Sequence, residues 1–143
     1  MNTKIGKISF LSAGIILVAA FSAFLINKNL KDPMLYGPVI TFSVDKFDFG
    51  NVKQGPVLEG TFEFKNTGQQ VLLIKSVAPS CGCTGVVADE KKEFQPGETG
   101  KVKFTFNTEG RTGVNEKTIN VTSNDLKSPN KTLTFVCNIS TDK

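Results

Sequence analysis

Between Val39 and Ile139 apolar and polar residues alternate in short runs separated by turn residues. Ile40, Phe42 and Val44 alternate with Thr41 and Ser43, and Phe62 and Phe64 with Thr61, Glu63 and Lys65. Val102, Phe104 and Phe106 alternate with Lys101, Lys103 and Thr105; Ile119 and Val121 with Thr118, Asn120 and Thr122. Leu133, Phe135, Cys137 and Ile139 continue the pattern against Thr132, Thr134 and Asn138. A period of two gives each strand one dry and one wet face. Val71–Ile74 is apolar on both faces and predicts a central strand, while Val77 falls off parity and predicts a bulge or strand end. Gly50 and Gly55 bracket a first turn, Asn66-Thr67-Gly68 a second, and Pro96-Gly97 a third. Gly110 and Gly113 bracket a fourth, and Ser123-Asn124-Asp125 opens the last. About seven short strands with regular turns predict an all-β, immunoglobulin-like β-sandwich over residues 39–140. The phenylalanines of these runs are assigned to the packing between its sheets.

The pattern ahead of this domain is different. Ile8–Ile26 is uncharged and apolar, with Lys4 and Lys7 before it. A spanning helix takes about 20 apolar residues, whereas the apolar part of a signal peptide is shorter, at about 7–15. The best cleavage candidate, Ala20-Phe21-Ser22, sits inside the run instead of after it. Residues 8–26 therefore read as a signal anchor, one hydrophobic helix preceding the sandwich, with a cleaved signal peptide as the alternative. Residues 1–7 are a basic cytoplasmic start, and residues 27–38, with Pro33, Gly37 and Pro38, are a linker. Either route exports the domain: anchored at the inner membrane and facing the periplasm, or released into the periplasm after cleavage. The membrane is then one partner, through residues 8–26, and the compartment is oxidising.

Charge changes little once it is partitioned. The chain is formally +4, and Lys4, Lys7, Lys28 and Lys31 beside the apolar run account for all of the excess. The remainder is neutral, and its longest basic cluster is Lys91-Lys92, so the basic stripe that nucleic-acid binding requires is missing.

Candidate chemistry is confined to the cysteines. There is no histidine, so the usual serine or cysteine triads are excluded, and no small-molecule site is evident. Asp89, Glu90 and Glu93 alternate with Lys91 and Lys92 in what reads as a solvated turn. Cys81 and Cys83 flank Gly82, and Cys137 lies far along the chain. An up-and-down strand order brings the Cys81–Cys83 loop and the end of the Cys137 strand to one pole. There the third and seventh strands flank the sixth, about 10 Å apart. Arg111, centred in the loop 107–113, lies at the same pole and is the polar contact expected beside them.

Four states remain open. The thiols are free and lodged in a turn or core, or Cys81 or Cys83 is bridged to Cys137. Alternatively, Cys81 and Cys83 close a tight, strained and therefore reducible ring, or they form a soft-metal clip. Zinc wants four ligands, so copper(I) on Cys81 and Cys83 is the better metal.

Phe47-Asp48-Phe49-Gly50-Asn51-Val52, Gly55, Phe62–Phe64 with Asn66-Thr67-Gly68, Leu72 and Ile74, Ser80-Cys81-Gly82-Cys83-Thr84, Pro96-Gly97 and Ser123-Asn124-Asp125 follow in one order. The series resembles the bacterial domain-of-unknown-function family DUF1573, which is similar to Hydin-type and major-sperm-protein-type immunoglobulin-like domains. The resemblance implies the sandwich and, by fold analogy, a binding or scaffolding role without catalysis. Cys137 lies outside it. The expectation is a non-enzymatic, membrane-tethered envelope module that binds another envelope protein through this pole or an exposed sheet edge. The alternative is a thiol-redox or copper(I)-handling protein using Cys81 and Cys83.

Overall fold

The structure, a computed structural model, describes residues 36–141. The basic start (1–7), the signal anchor or signal peptide with its hydrophobic helix (8–26) and most of the linker (27–38) lie outside the described residues. The sandwich unit begins at Gly37.

Nine strands form among the described residues: β1 (Ile40–Phe42), β2 (Lys46–Lys53), β3 (Val57–Asn66), β4 (Leu72–Pro79), β5 (Thr84–Ala88), β6 (Glu93–Phe94), β7 (Thr99–Asn107), β8 (Gly113–Ser123) and β9 (Asn130–Ser140). One sheet has the order β1-β3-β7-β5 and the other β2-β9-β8-β4-β6. The alternating runs became β1, β3, β7, β8 and β9, each with apolar residues inward. Three strands escaped the pattern. β6 spans only two residues, β5 begins within the cysteine motif, and β2 was hidden by a glycine.

Gly50 corrects the reading of a first turn. It has φ 67° and sits inside β2, where the pairing with β9 shifts register between Asp48 and Asn51. The Gly50 N–H donates to Asp48 Oδ1 at 2.7 Å. One extra residue in left-handed backbone makes a bulge, so that Phe47, Phe49 and Val52 all pack on the core despite their uneven spacing. The predicted irregularity after Val71–Ile74 is also a bulge, with register shifting between Ile74 and Ser76. β4 is central only where β6 covers Leu72 and Leu73.

The core is aromatic. Every phenylalanine from Phe42 to Phe135 is either buried or packed against the buried cluster. Phe104 is its hub, stacked on Phe62 at 5.2 Å and Phe135 at 4.7 Å, with Phe47 and Phe49 edge-on at 5.9 Å. Such pairs add about 0.5–1.5 kcal/mol beyond area burial. Gly60 lies opposite Phe104 in the β3–β7 register, and a Cβ there would collide with the ring.

Polar side chains close one end of the sandwich. Fully buried Asn66 donates to the carbonyls of Gln70 and Phe94 at 2.7 and 2.9 Å. Its Oδ1 accepts from Gly68 N at 3.0 Å and Val39 N at 3.4 Å. Buried Asp125 accepts from Ile40 N at 3.1 Å through Oδ2 and from Lys127 and Ser128 N through Oδ1. Asn124 Oδ1 accepts from Leu73 N, and its Nδ2 donates to the Val71 carbonyl. This clamp end holds the first residues of the domain, and the cysteine loop is at the opposite end.

Candidate functional site at the cysteine end

β4 ends at Pro79 and β5 begins at Thr84, so the loop 80–83 carries the chain from one sheet to the other. Cys81 and Cys83 are joined in a disulfide, with Cα atoms 5.3 Å apart. Both are half-buried, while Gly82 between them is exposed and its outer side faces open space. Ser80 fixes the loop to β8 twice. Its N–H donates to the Thr118 carbonyl at 2.9 Å, and its Oγ accepts from Thr118 N at 3.2 Å. The remaining backbone bonds, from Thr84 N to the Cys81 carbonyl and from Asn107 N to the Cys83 carbonyl, are both 3.4 Å long.

The two sulfurs have different surroundings. Cys83 packs against the hydrophobic core. Cys81 Sγ lies 3.5 Å from the hydroxyl of buried Thr84, which donates to it because a disulfide sulfur carries no hydrogen. Asn107 connects this loop to Arg111, since its carbonyl accepts from Arg111 Nε at 3.0 Å while its N–H reaches Cys83. The guanidinium then sits 5.5 Å from the centroid of the Phe106 ring. Arg111 is therefore beside the cysteines, as the pole argument required, and caps that end of the core.

Cys137 is not part of this arrangement. β4 and β9 do flank β8, but Cys137 points inward, is 1% exposed and is a free thiol. Inward strand parity prevails over loop reach, which corrects the reading of a bridge between Cys137 and the pair. Burial, with a smaller contribution from Asp48, raises the Cys137 thiol pKa above 9.0. In this form Cys81 and Cys83, the pair considered for copper(I), are bonded to each other, and Cys137 lies in the core.

Two features escaped sequence reasoning. Thr84 stood in the S-C-G-C-T string without a role, although its position three residues after Cys81 is the spacing of a tight turn. The other is the open flank of β5, which ends its sheet with Val87 66% exposed. Past the end of β5, beyond Asp89, a cavity of about 260 Å³ opens between the sheets over Phe64, Ile74, Val77, Phe94 and Val102. Lys75, Lys91, Lys92, Lys101 and Asp89 rim it. Lys91 pairs with Glu98 at 2.8 Å, which lowers the Glu98 pKa below 4.5 together with the Gln95 N–H, and Lys101 pairs with Glu63 at 3.0 Å. Lys75 and Lys92 form no ion pair among the described residues.

The family model described as protein of unknown function (DUF1573) matches residues 40–139. The chain belongs to the DUF1573 family. No curated protein matches it. Among solved structures it is similar to a protein of unknown function from Porphyromonas gingivalis W83, at 18% identity and a TM-score of 0.64. That match covers 76% of this chain and 50% of the other, so this DUF1573 chain spans half the length of that relative. A PapD-like domain of human CEP192 matches at 14% identity and a TM-score of 0.54, covering 79% of this chain and 91% of that domain. The E. coli chaperone DraB matches at 9% identity and a TM-score of 0.50, covering 74% and 58%. At these identities the likeness shows the β-sandwich fold alone.

The motifs that carried the DUF1573 resemblance now divide. Phe47, Phe49 and Phe62–Phe64 build the core, Gly50 makes a bulge, and Asn66, Asn124 and Asp125 clamp turns. Cys81–Cys83 has no comparable architectural duty. By loop-closure entropy a three-residue disulfide loop is worth roughly 1.6 kcal/mol, against about 3 kcal/mol for a 15-residue loop.

Proposed function

We propose that this domain is an interaction module that accepts an extended segment of an envelope protein along the outer edge of β5. In this reading residues 8–26 tether it to the inner membrane and the domain faces the periplasm. The observation that carries the proposal is the unpaired edge of β5, with an apolar cavity just past its end, where Asp89 lines the rim. An added strand obtains main-chain hydrogen bonds from such an edge, and alternate side chains need a pocket for specificity. The cavity supplies the pocket, and Lys75 and Lys92 on its rim favour a segment with an apolar side chain next to an acidic one. Because β5 starts directly after Cys83, the edge and the cysteine loop form one continuous surface ending at Arg111.

A photo-crosslinking residue placed at Val87 in the full chain, expressed in cells, tests this reading. Val44, 50% exposed beyond β1, is the control position. A discrete adduct from position 87 and none from position 44 is expected. Equal labelling at both, or none at either, rejects docking at β5. Salt-resistant sedimentation with membranes, with the domain open to external protease in spheroplasts, is expected from the tether.

A further inference from the structure

The disulfide is the part of this surface that strand docking does not use. It closes three residues, in a loop that Ser80 already fixes to β8. Both cysteines are half-buried, and Gly82 between them is exposed with open space beyond it. Its two sulfurs are unequal: Cys81 receives the Thr84 hydroxyl and Cys83 rests on the core. Cys137 is sealed in the core, so no internal thiol competes for either sulfur. We propose that Cys81–Cys83 is a thiol–disulfide exchange site whose substrate is a protein or peptide dithiol.

The asymmetry sets the direction of attack. A leaving thiolate departs faster when it is stabilised, and a charged hydrogen bond is stronger than a neutral one. The Thr84 hydroxyl provides that bond at Cys81, whereas a thiolate at Cys83 would form against apolar side chains, where burial disfavours it. The substrate thiolate therefore attacks Cys83 Sγ, the Cys81–Cys83 bond breaks, and Cys81 leaves as the thiolate. The second substrate thiolate then attacks the substrate sulfur of this mixed disulfide and releases Cys83. Two electrons pass to Cys81 and Cys83, the two protons lost by the substrate thiols are taken up there, and the substrate leaves as a disulfide. Thr84 acts through Cys81 and is a positioning residue. Arg111, linked through Asn107 to the Cys83 backbone, lies where a substrate segment would approach.

The test equilibrates the oxidised full chain in glutathione buffers of graded ratio, quenches with acid and counts alkylated thiols by intact mass after denaturation. The count is expected to rise from one to three as the buffer becomes more reducing, and to return to one in oxidised glutathione. The circular dichroism melt should stay cooperative throughout. Mixed disulfide trapped early in reduction should map to Cys83. Thr84→Val should slow the exchange about tenfold, with Thr84→Ser restoring it. A bond that resists every buffer in which the domain stays folded would overturn the proposal, as would a reduced form that unfolds. Early adducts on Cys81, or wild-type exchange rates in Thr84→Val, would overturn the assignment of Cys81 as leaving group. Crosslinking at Val87 is independent of these readouts, so docking and exchange can fail separately.

Discussion

The two ends of the sandwich are held by different chemistry. At the clamp end buried Asn66 and Asp125, with Asn124 beside them, saturate the backbone of several turns through bonds mostly of 2.7–3.1 Å. At the cysteine end buried Thr108 does similar work, donating to the Pro56 carbonyl at 2.6 Å and accepting from Gly55 N at 2.9 Å. In the neighbouring loop 80–83, Ser80 is tied to Thr118 at 2.9 and 3.2 Å, but beyond Ser80 the loop keeps only two backbone bonds of 3.4 Å and a short-range disulfide. A buried amide that loses its partners leaves unpaired groups that no water reaches, whereas a half-exposed loop can exchange its bonds for water. One end is thus built for stability, and the other tolerates a change of bonding state.

That contrast can be broken by substitution. Asn66→Ala should have the largest effect, about 3 kcal/mol in chemical denaturation, because it strands buried donors and acceptors at once. Gly60→Ala, midway between the ends, should cost about 2 kcal/mol by driving a methyl into the Phe104 ring. Cys81→Ser combined with Cys83→Ser should cost about 1.6 kcal/mol from the lost loop closure, read as a melting-temperature fall of roughly 10 °C. A loss at the cysteines matching that of Asn66→Ala would erase the distinction between the ends.

Titration sharpens the same comparison with smaller effects. Cys137 lies towards the cysteine end, and its folded pKa is raised above 9.0, chiefly by burial. Its contribution is complete below that value and is lost as pH rises towards the folded pKa, because the unfolded thiol ionises first. Urea midpoints should therefore fall on the alkaline side, and Cys137→Ala should remove that component. Glu98 lies at the clamp end, partly exposed, with its pKa lowered below 4.5 by Lys91 and the Gln95 N–H. Its contribution is present above 4.5 and disappears as pH falls through the folded pKa. Glu98→Gln should flatten only that acid limb.

The alternation of apolar and polar residues determined five of the nine strands and the inward side of each, because a side-chain period of two belongs to the backbone itself, and the apolar run Val71–Ile74 marked a sixth, β4. The same parity placed Cys137 in the core, and the up-and-down order placed Arg111 near the cysteine pair. The motifs also carried the family. Only the tertiary structure decided the rest. Gly50 reads as a turn residue until β9 supplies the partner whose register defines a bulge. β5 and β6 are too short to show a period and exist because β7 and β4 offer edges to pair with. The choice among cysteine partners depends on which side chains face one another across a loop and two sheets. The Thr84 hydroxyl on Cys81, the Asn107 link to Arg111 and the open flank of β5 are relations between segments, which a linear pattern does not encode.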